Sequence, residues 1–357
     1  MSDFWKGKRI LVTGHTGFKG SWLTLWLKRL GAEVTGLALP PATNPALFEQ
    51  LRLADEIVHH LCDIAEAAEL NRIVDAAQPE IVFHLAAQSL VRRSYREPAE
   101  TWRTNVMGTI HLLEALRGLN APCAAVMITT DKVYLNHEWV HAYRENDALG
   151  GYDPYSASKA GAEIAIASWR SAFCPPGGTL AIASARAGNV IGGGDWAEDR
   201  LVPDLIRALE TGKPLTVRNP LAKRPWQHVL EPLGGYLLLA EKMSSALSAG
   251  DPNLGLLTGV FNFGPHASSN RSVADLVREA FRVWPGEMIH QRENNTPHEA
   301  QELNLAVEKA YHRLGWVPRW DFEDTVRQTI GWYKDVNTKG PTAARHACLA
   351  QIIEFSS

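Results

Sequence analysis

The 357-residue chain has few cysteines, little excess of charge and no long hydrophobic run. Its four cysteines, Cys62, Cys123, Cys174 and Cys348, are scattered without a C-x-x-C pair. That excludes a disulfide framework and a thiolate metal site, and it fits a reducing cytoplasm. A formal charge of −3 leaves no basic stripe to track a phosphate backbone, so nucleic acid is not expected as a partner. No window approaches the ~18 apolar residues of a membrane span, and the N-terminus runs into a strand without an apolar leader. A soluble, unprocessed cytoplasmic protein with no membrane partner is therefore expected. There is no internal repeat and no low-complexity linker.

What is present is an alternation of short β-branched runs with helical patterns, the signature of a parallel sheet covered on both faces. Strands are expected at Arg9 to Thr13, Glu33 to Ala38, Ile57 to Cys62, Ile81 to Leu85, Ala124 to Thr129 and Leu180 to Ala185. Helical stripes fall at 18–30, 65–77, 100–118 and 155–173. The fold class is α/β: a Rossmann-type doubly wound parallel sheet with a smaller mixed α/β lobe. Residues 1–186 are assigned to the sheet domain, rejoined by a segment near 228–264. The lobe occupies most of 187–337, with helical patterns at 202–211, 231–245, 272–283 and 322–334. Residues 338–357 carry little periodicity and read as a mobile tail.

Gly14-His15-Thr16-Gly17-Phe18-Lys19-Gly20 joins the first strand to the first helix. Glycines spaced three apart at that place let a pyrophosphate approach the backbone and the helix N-terminus, whose dipole favours an anion. The acid that usually ends the second strand and takes ribose hydroxyls is missing, since the chain reads Leu37-Ala38-Leu39-Pro40-Pro41. No arginine follows that strand to pair with a 2′-phosphate, which favours NAD. Asp63, after the third strand, is a candidate for the adenine edge.

Tyr155 and Lys159 lie four apart at the start of a helical run and share one face. An ammonium beside the phenol would stabilise a phenolate and suit proton transfer from a sugar hydroxyl. They follow Thr129-Thr130-Asp131-Lys132, at the end of a strand. The loop, His84-Leu85-Ala86-Ala87-Gln88, Asn105 and the Tyr155/Lys159 pair together resemble the extended short-chain dehydrogenase/reductase superfamily, in its nucleotide-sugar branch. Further motifs are similar to those of the CDP-glucose 4,6-dehydratases: the Thr130-Asp131-Lys132 run, Gly150 to Tyr155, Gly188 to Trp196, Arg224 to Pro232 and His298-Glu299-Ala300. The resemblance covers residues 4 to about 335.

The resemblance implies a hydro-lyase acting on CDP-glucose in deoxysugar biosynthesis, with bound NAD. It implies cofactor contacts from Gly14, Thr16, Gly17, Phe18, Gly20, Asp63, Ala86, Ala87, Asn105, Tyr155 and Lys159. Tyr155 would take the proton of the 4-hydroxyl with Thr130 on the same oxygen, and Asp131 would protonate the leaving 6-hydroxyl. Lys132 would stand at C5, as a base or to steer the enolate. Gln88, Asn189, Arg200, Arg224, Trp226, His298 and Glu299 would hold the substrate. A homodimer is expected by analogy, through helices near 100–118 and 155–173.

Two other readings keep the same fold: a nucleotide-sugar 4-epimerase, which needs no acid at Asp131, and a non-catalytic dinucleotide sensor. His137-Glu138-Trp139-Val140-His141 matches the H-E-x-x-H pattern of zinc peptidases, but it leads into a polar stretch and no metal is expected. Of the twelve tryptophans, Trp22, Trp26 and Trp332 sit at helical spacing and are expected in the core, whereas Trp196 and Trp226 are ligand candidates.

Overall fold

A computed structural model describes residues 3–290 and 303–357. Seven parallel strands form the central sheet: β1 (Arg9–Thr13), β2 (Glu33–Ala38), β3 (Val58–Leu61), β4 (Ile81–His84), β5 (Cys123–Ile128), β6 (Leu180–Ala187) and β7 (Val260–Phe263). Their spatial order is β7-β6-β5-β4-β1-β2-β3, with every neighbouring pair parallel. The inner strands β4, β5 and β6 are buried along their whole length, as continuous apolar runs covered on both faces must be. In β1 the pleat sends Ile10 and Val12 into one core and Leu11 into the other. At the edge, β3 exposes Val58 and Leu61.

Strand order reverses between β1 and β4, so a crevice opens above their carboxyl ends. Ligands of such sheets bind in that crevice. The loops that enter it are Gly14–Gly17 after β1, Leu85–Gln88 after β4, Thr129–Asp131 after β5 and Gly188–Asn189 after β6. The smaller lobe stands over it. There Lys223–Pro225 pairs antiparallel with Asn270–Ser272, and Leu215–Val217 pairs parallel with Met288–His290. Between these pieces the Leu230–Ala249 helix returns to the sheet, and the chain then enters β7 beside β6.

Two expectations are corrected. The stripe at 100–118 is not one helix: Pro98–Trp102 and Gly108–Arg117 flank a π-helical turn, Arg103–Met107. Its wider turn carries Asn105, whose side chain reaches Gln88 and Ser158. The C-terminal residues are not a mobile tail either, because Ala343–Ser356 is a helix that buries Cys348, Ile352 and Phe355. Phe355 meets Trp26 and Trp320 edge-on, at 5.8 and 5.1 Å between ring centroids. The preceding Gly340-Pro341 breaks the periodicity and hides this helix from a pattern search.

Candidate active site

At the end of β1, Gly14 has φ +77°, and a β-carbon there would lie 2.6 Å from the Ala86 nitrogen. A β-carbon on Gly20 would lie 2.1 Å from the Gly14 carbonyl oxygen. These two glycines let strand, helix and the β4 loop close on one another. Gly17 differs: it is exposed, and a β-carbon there would meet only the Gly14 oxygen, at 3.4 Å. It heads the Phe18–Arg29 helix without a side-chain cap, so the first-turn N–H groups face the crevice. An uncapped helix start behind an exposed glycine fits a dinucleotide pyrophosphate. Thr16 donates to the Leu39 carbonyl at 2.8 Å, tying the loop to the end of β2. His15 is buried beneath it, with Nε2 2.7 Å from His59 Nδ1, and burial lowers its pKa to about 4.

The loop after β4 is braced from below. Thr13 Oγ1 lies 2.7 Å from His84 Nδ1 and accepts from the Ala86 N–H at 3.2 Å. Burial lowers the His84 pKa to about 3, with the nearby Lys159 adding to the shift. Ala86 and Ala87 stay half-buried beside the glycine loop. Asn105 clamps Gln88 by accepting from its N–H at 2.8 Å and donating to its carbonyl at 3.0 Å, and donates to Ser158 at 2.9 Å. The Gln88 side chain binds Thr101 and the Leu90 backbone. Both amides hold the loop against the Pro154–Phe173 helix and the turn at Arg103–Met107. Asp63 accepts from Arg103 at 2.8 Å and from the Ala65 N–H at 2.9 Å, leaving it half-buried beside the β2–β3 end of the crevice.

The third group comes from β5 and the Pro154–Phe173 helix. That helix begins where Asp153 accepts from the Ser156 N–H at 2.9 Å and Pro154 supplies the first helical residue. Tyr155 and Lys159 follow one turn apart, 8 % and 5 % exposed, with Thr130 and Asp131 buried opposite. Thr130 Oγ1 donates to Asp131 Oδ1 at 2.8 Å, and the Thr130 hydroxyl and the Asp131 carboxyl both act on the Tyr155 phenol. Burial pushes the Asp131 carboxyl up against the pull of Lys132, which favours the protonated form an acid needs. Gly188 permits this approach, since its β-carbon would lie 2.9 Å from Asp131 Oδ2. Lys132 is half-buried at the same turn.

The Tyr155 phenol is pushed up to about 12, by burial first and by Asp131 as well, against Thr130 and Arg200. The Lys159 ammonium donates to the Ile128 carbonyl at 3.0 Å. Burial lowers its pKa to about 8, against the pull of Glu163. Within the chain, then, the ammonium does not offset desolvation of the phenol. A positive nicotinamide beside the phenol would lower it.

Lys19 is the residue that sequence reasoning undervalued. Its ammonium lies 3.4 Å from the Tyr236 hydroxyl, and it interacts electrostatically with Arg200, Asp131 and Lys159. Burial, with Arg200, lowers its pKa to about 7. A cation in the first turn of a helix opposes the macrodipole, and that misfit was the available signal.

On the lobe side, Arg200 is half-buried and paired with Asp195 at 2.7 Å, and it acts electrostatically on Tyr155. Asn189 and Arg224 are half-buried, and Arg224 donates to the Lys223 carbonyl at 2.8 Å. Trp226 is buried with its indole nitrogen on the Arg271 carbonyl at 3.0 Å, and Trp196 stands edge-on to Tyr333. Both indoles are buried, as are those of Trp22, Trp26 and Trp332. His298 and Glu299 lie outside the described residues. The 137–141 segment forms no helix, so the H-E-x-x-H arrangement of metal ligands is not built.

A phenol, an ammonium and a buried acid beside an uncapped glycine-loop helix define a dinucleotide-dependent enzyme of hydroxyl chemistry. The chain belongs to the GDP-mannose 4,6-dehydratase family, whose pattern matches residues 11–329. It is 46% identical over 340 residues to a CDP-glucose 4,6-dehydratase of Salmonella typhimurium, covering 93% of this chain and 92% of that one. It is 29% identical to a dTDP-glucose 4,6-dehydratase of Neisseria gonorrhoeae, over 94% and 98% of the two chains. Among solved structures it resembles dTDP-glucose 4,6-dehydratase from Bacillus anthracis in complex with NAD, with a TM-score of 0.74 at 19% identity, covering 94% and 99% of the chains. It also resembles UDP-glucose 4-epimerase of Thermus thermophilus with NAD, with a TM-score of 0.76 at 22% identity, covering 91% and 99%. At those identities the structures report the fold.

Proposed function

We propose that this chain is a CDP-glucose 4,6-dehydratase, converting CDP-glucose to CDP-4-dehydro-6-deoxyglucose and water. The observation that carries the reading is the Asp131 carboxyl, buried, pushed up and held by Thr130 within electrostatic reach of the Tyr155 phenol. A 4-epimerase needs the phenol but has no leaving hydroxyl to protonate. The cytidine diphosphate is supported by the Salmonella typhimurium relative.

The glycine loop, Ala86, Ala87 and Lys159 would hold NAD, whose nicotinamide would supply the hydride acceptor for C4 and the hydride donor for C6. Tyr155 takes the proton of the 4-hydroxyl while Thr130 holds that oxygen. The resulting ketone acidifies the hydrogen at C5, next to which Lys132 stands as base or as the cation that steers the enolate, and C5 takes a proton back from Lys132 or water when hydride enters C6. Asp131 gives its proton to the departing 6-hydroxyl. Arg200, Arg224 and Asn189 grip the diphosphate, the arginines by charge-assisted hydrogen bonds.

A homodimer is proposed through the faces that leave Tyr95, Trp102, Met107 and Ile164 exposed. Among the described residues no helix is long and apolar enough to cross a membrane, and we place the enzyme in the cytoplasm.

The test is incubation with CDP-, dTDP-, UDP- and GDP-glucose, following loss of one water by mass. Loss from CDP-glucose alone is expected. An epimer without water loss would assign an epimerase, and no change in any sugar would remove the enzymatic reading.

A further inference from the structure

The Lys159 ammonium and the Glu163 carboxylate lie one turn apart on the Pro154–Phe173 helix and grip successive residues at the end of β5. Lys159 donates to the Ile128 carbonyl at 3.0 Å, and Glu163 accepts from Thr129 Oγ1 at 2.5 Å. The next two residues are Thr130 and Asp131. The same carboxylate accepts from Ser184 at 2.9 Å and, bidentately, from Arg186 Nε and Nη2 at 3.0 Å each. Ser184 and Arg186 belong to β6, which leads out to Gly188 and Asn189. One side chain therefore joins the helix bearing Tyr155 and Lys159, the strand bearing Thr130 and Asp131, and the strand that feeds the diphosphate end.

Glu163 and Arg186 are each 2 % exposed. Burying such a pair is a weak route to stability, because apolar residues of similar volume do as well or better. Its position points elsewhere. We propose that Glu163 is a positioning residue of the reaction: clamped by Arg186, it fixes the end of β5 against the catalytic helix and sets the charge felt by the Lys159 ammonium.

Burial works against ionising Glu163 but is outweighed by Arg186, Thr129 and Ser184, so the carboxyl is held below its ordinary range. It is ionised wherever the enzyme works. Lys159 is faced by Glu163 from its own helix, by His84 from β4 and by Lys19 from the glycine-loop helix. Glu163 is faced by Arg186 from β6 and Arg170 from its own helix. Among these neighbours Glu163 alone is an anion, so removing its charge makes the ammonium easier to deprotonate.

The test titrates the 13Cε resonance of Lys159, identified by its loss in Lys159→Met, in wild type, Glu163→Gln and Thr129→Val. In Glu163→Gln the midpoint should fall by about half a pH unit or more, and the alkaline limb of turnover should fall with it. In Thr129→Val, which keeps the ion pair, the midpoint should stay. There kcat should fall about tenfold with KM within about twofold, as expected for lost alignment. An unmoved midpoint in folded Glu163→Gln, or wild-type kcat in Thr129→Val, overturns the proposal. If Glu163→Gln does not fold, Thr129→Val decides alone. The kcat arm rests on the dehydration proposed above. The Lys159 titration needs no substrate, so failure of that reading and failure of this one are distinguishable.

Discussion

The two sides of the crevice are built on different plans. On the sheet side, Thr13, His84, Gln88, Asn105, Thr130, Asp131 and Glu163 are buried and hydrogen-bonded to one another or to backbone, so the geometry exists before any ligand arrives. On the lobe side, Asn189, Arg200 and Arg224 are half-buried: Asn189 precedes the two-residue strand Val190–Ile191, Arg200 precedes the Leu201–Thr211 helix and Arg224 lies on the three-residue strand Lys223–Pro225. The chemistry needs fixed alignment and gets it from a packed core. Recognition needs groups that can exchange water for phosphate oxygens, and those sit where the packing is thinner.

The comparison is tested most severely on the sheet side. Asp131→Asn should lower dehydration by about 10²- to 10⁴-fold while leaving NAD binding intact, read by water loss and by cofactor titration. Unchanged turnover would remove the acid from the account.

Acid should also weaken the sheet side first. His84 is lowered to about 3 and His15 to about 4, each chiefly by burial. Each is neutral when folded, whereas the unfolded chain takes up a proton near pH 6.5. Stability therefore falls as pH drops below 6.5, by about 1–2 kcal/mol per histidine at pH 5. Thermal melts at pH 7 and pH 5 check this, and removing His84 by substitution should flatten the slope.

The lobe side should answer through binding. Arg224→Ala should raise KM about 10- to 100-fold with little change in kcat. A matching drop in kcat would mean that the two sides are not separable. The smallest effect is expected at their seam: Gly188→Ala, which places a carbon against Asp131, should lower kcat about tenfold without weakening NAD.

The same division explains what could be read from the sequence. The sheet side was legible because its constraints are local: the glycine loop between strand and helix, the apolar runs of β4 to β6, and Tyr155 and Lys159 at helical spacing. The π-helical turn at Arg103–Met107 was not, since its extra residue answers to Gln88 and Ser158, which are distant in sequence. Nor was Glu163, a charged residue on an apolar helical face whose three partners, Thr129, Ser184 and Arg186, lie at the end of β5 and on β6. In the lobe, the contact of the Trp226 indole with the Arg271 carbonyl joins residues 45 apart in the chain, which no local pattern reveals. The terminal helix was hidden because its burial depends on Trp26 and Trp320.

The central claim is that one bound sugar is oxidised at C4, loses water and is reduced at C6 without leaving the crevice. CDP-glucose carrying deuterium at C4 tests it most directly, with the product read by NMR. The account predicts deuterium at C6 of a 4-dehydro-6-deoxy sugar, transferred within one molecule even when unlabelled substrate is mixed in. Deuterium still at C4 of an epimerised sugar, or scrambled between labelled and unlabelled molecules, would contradict it.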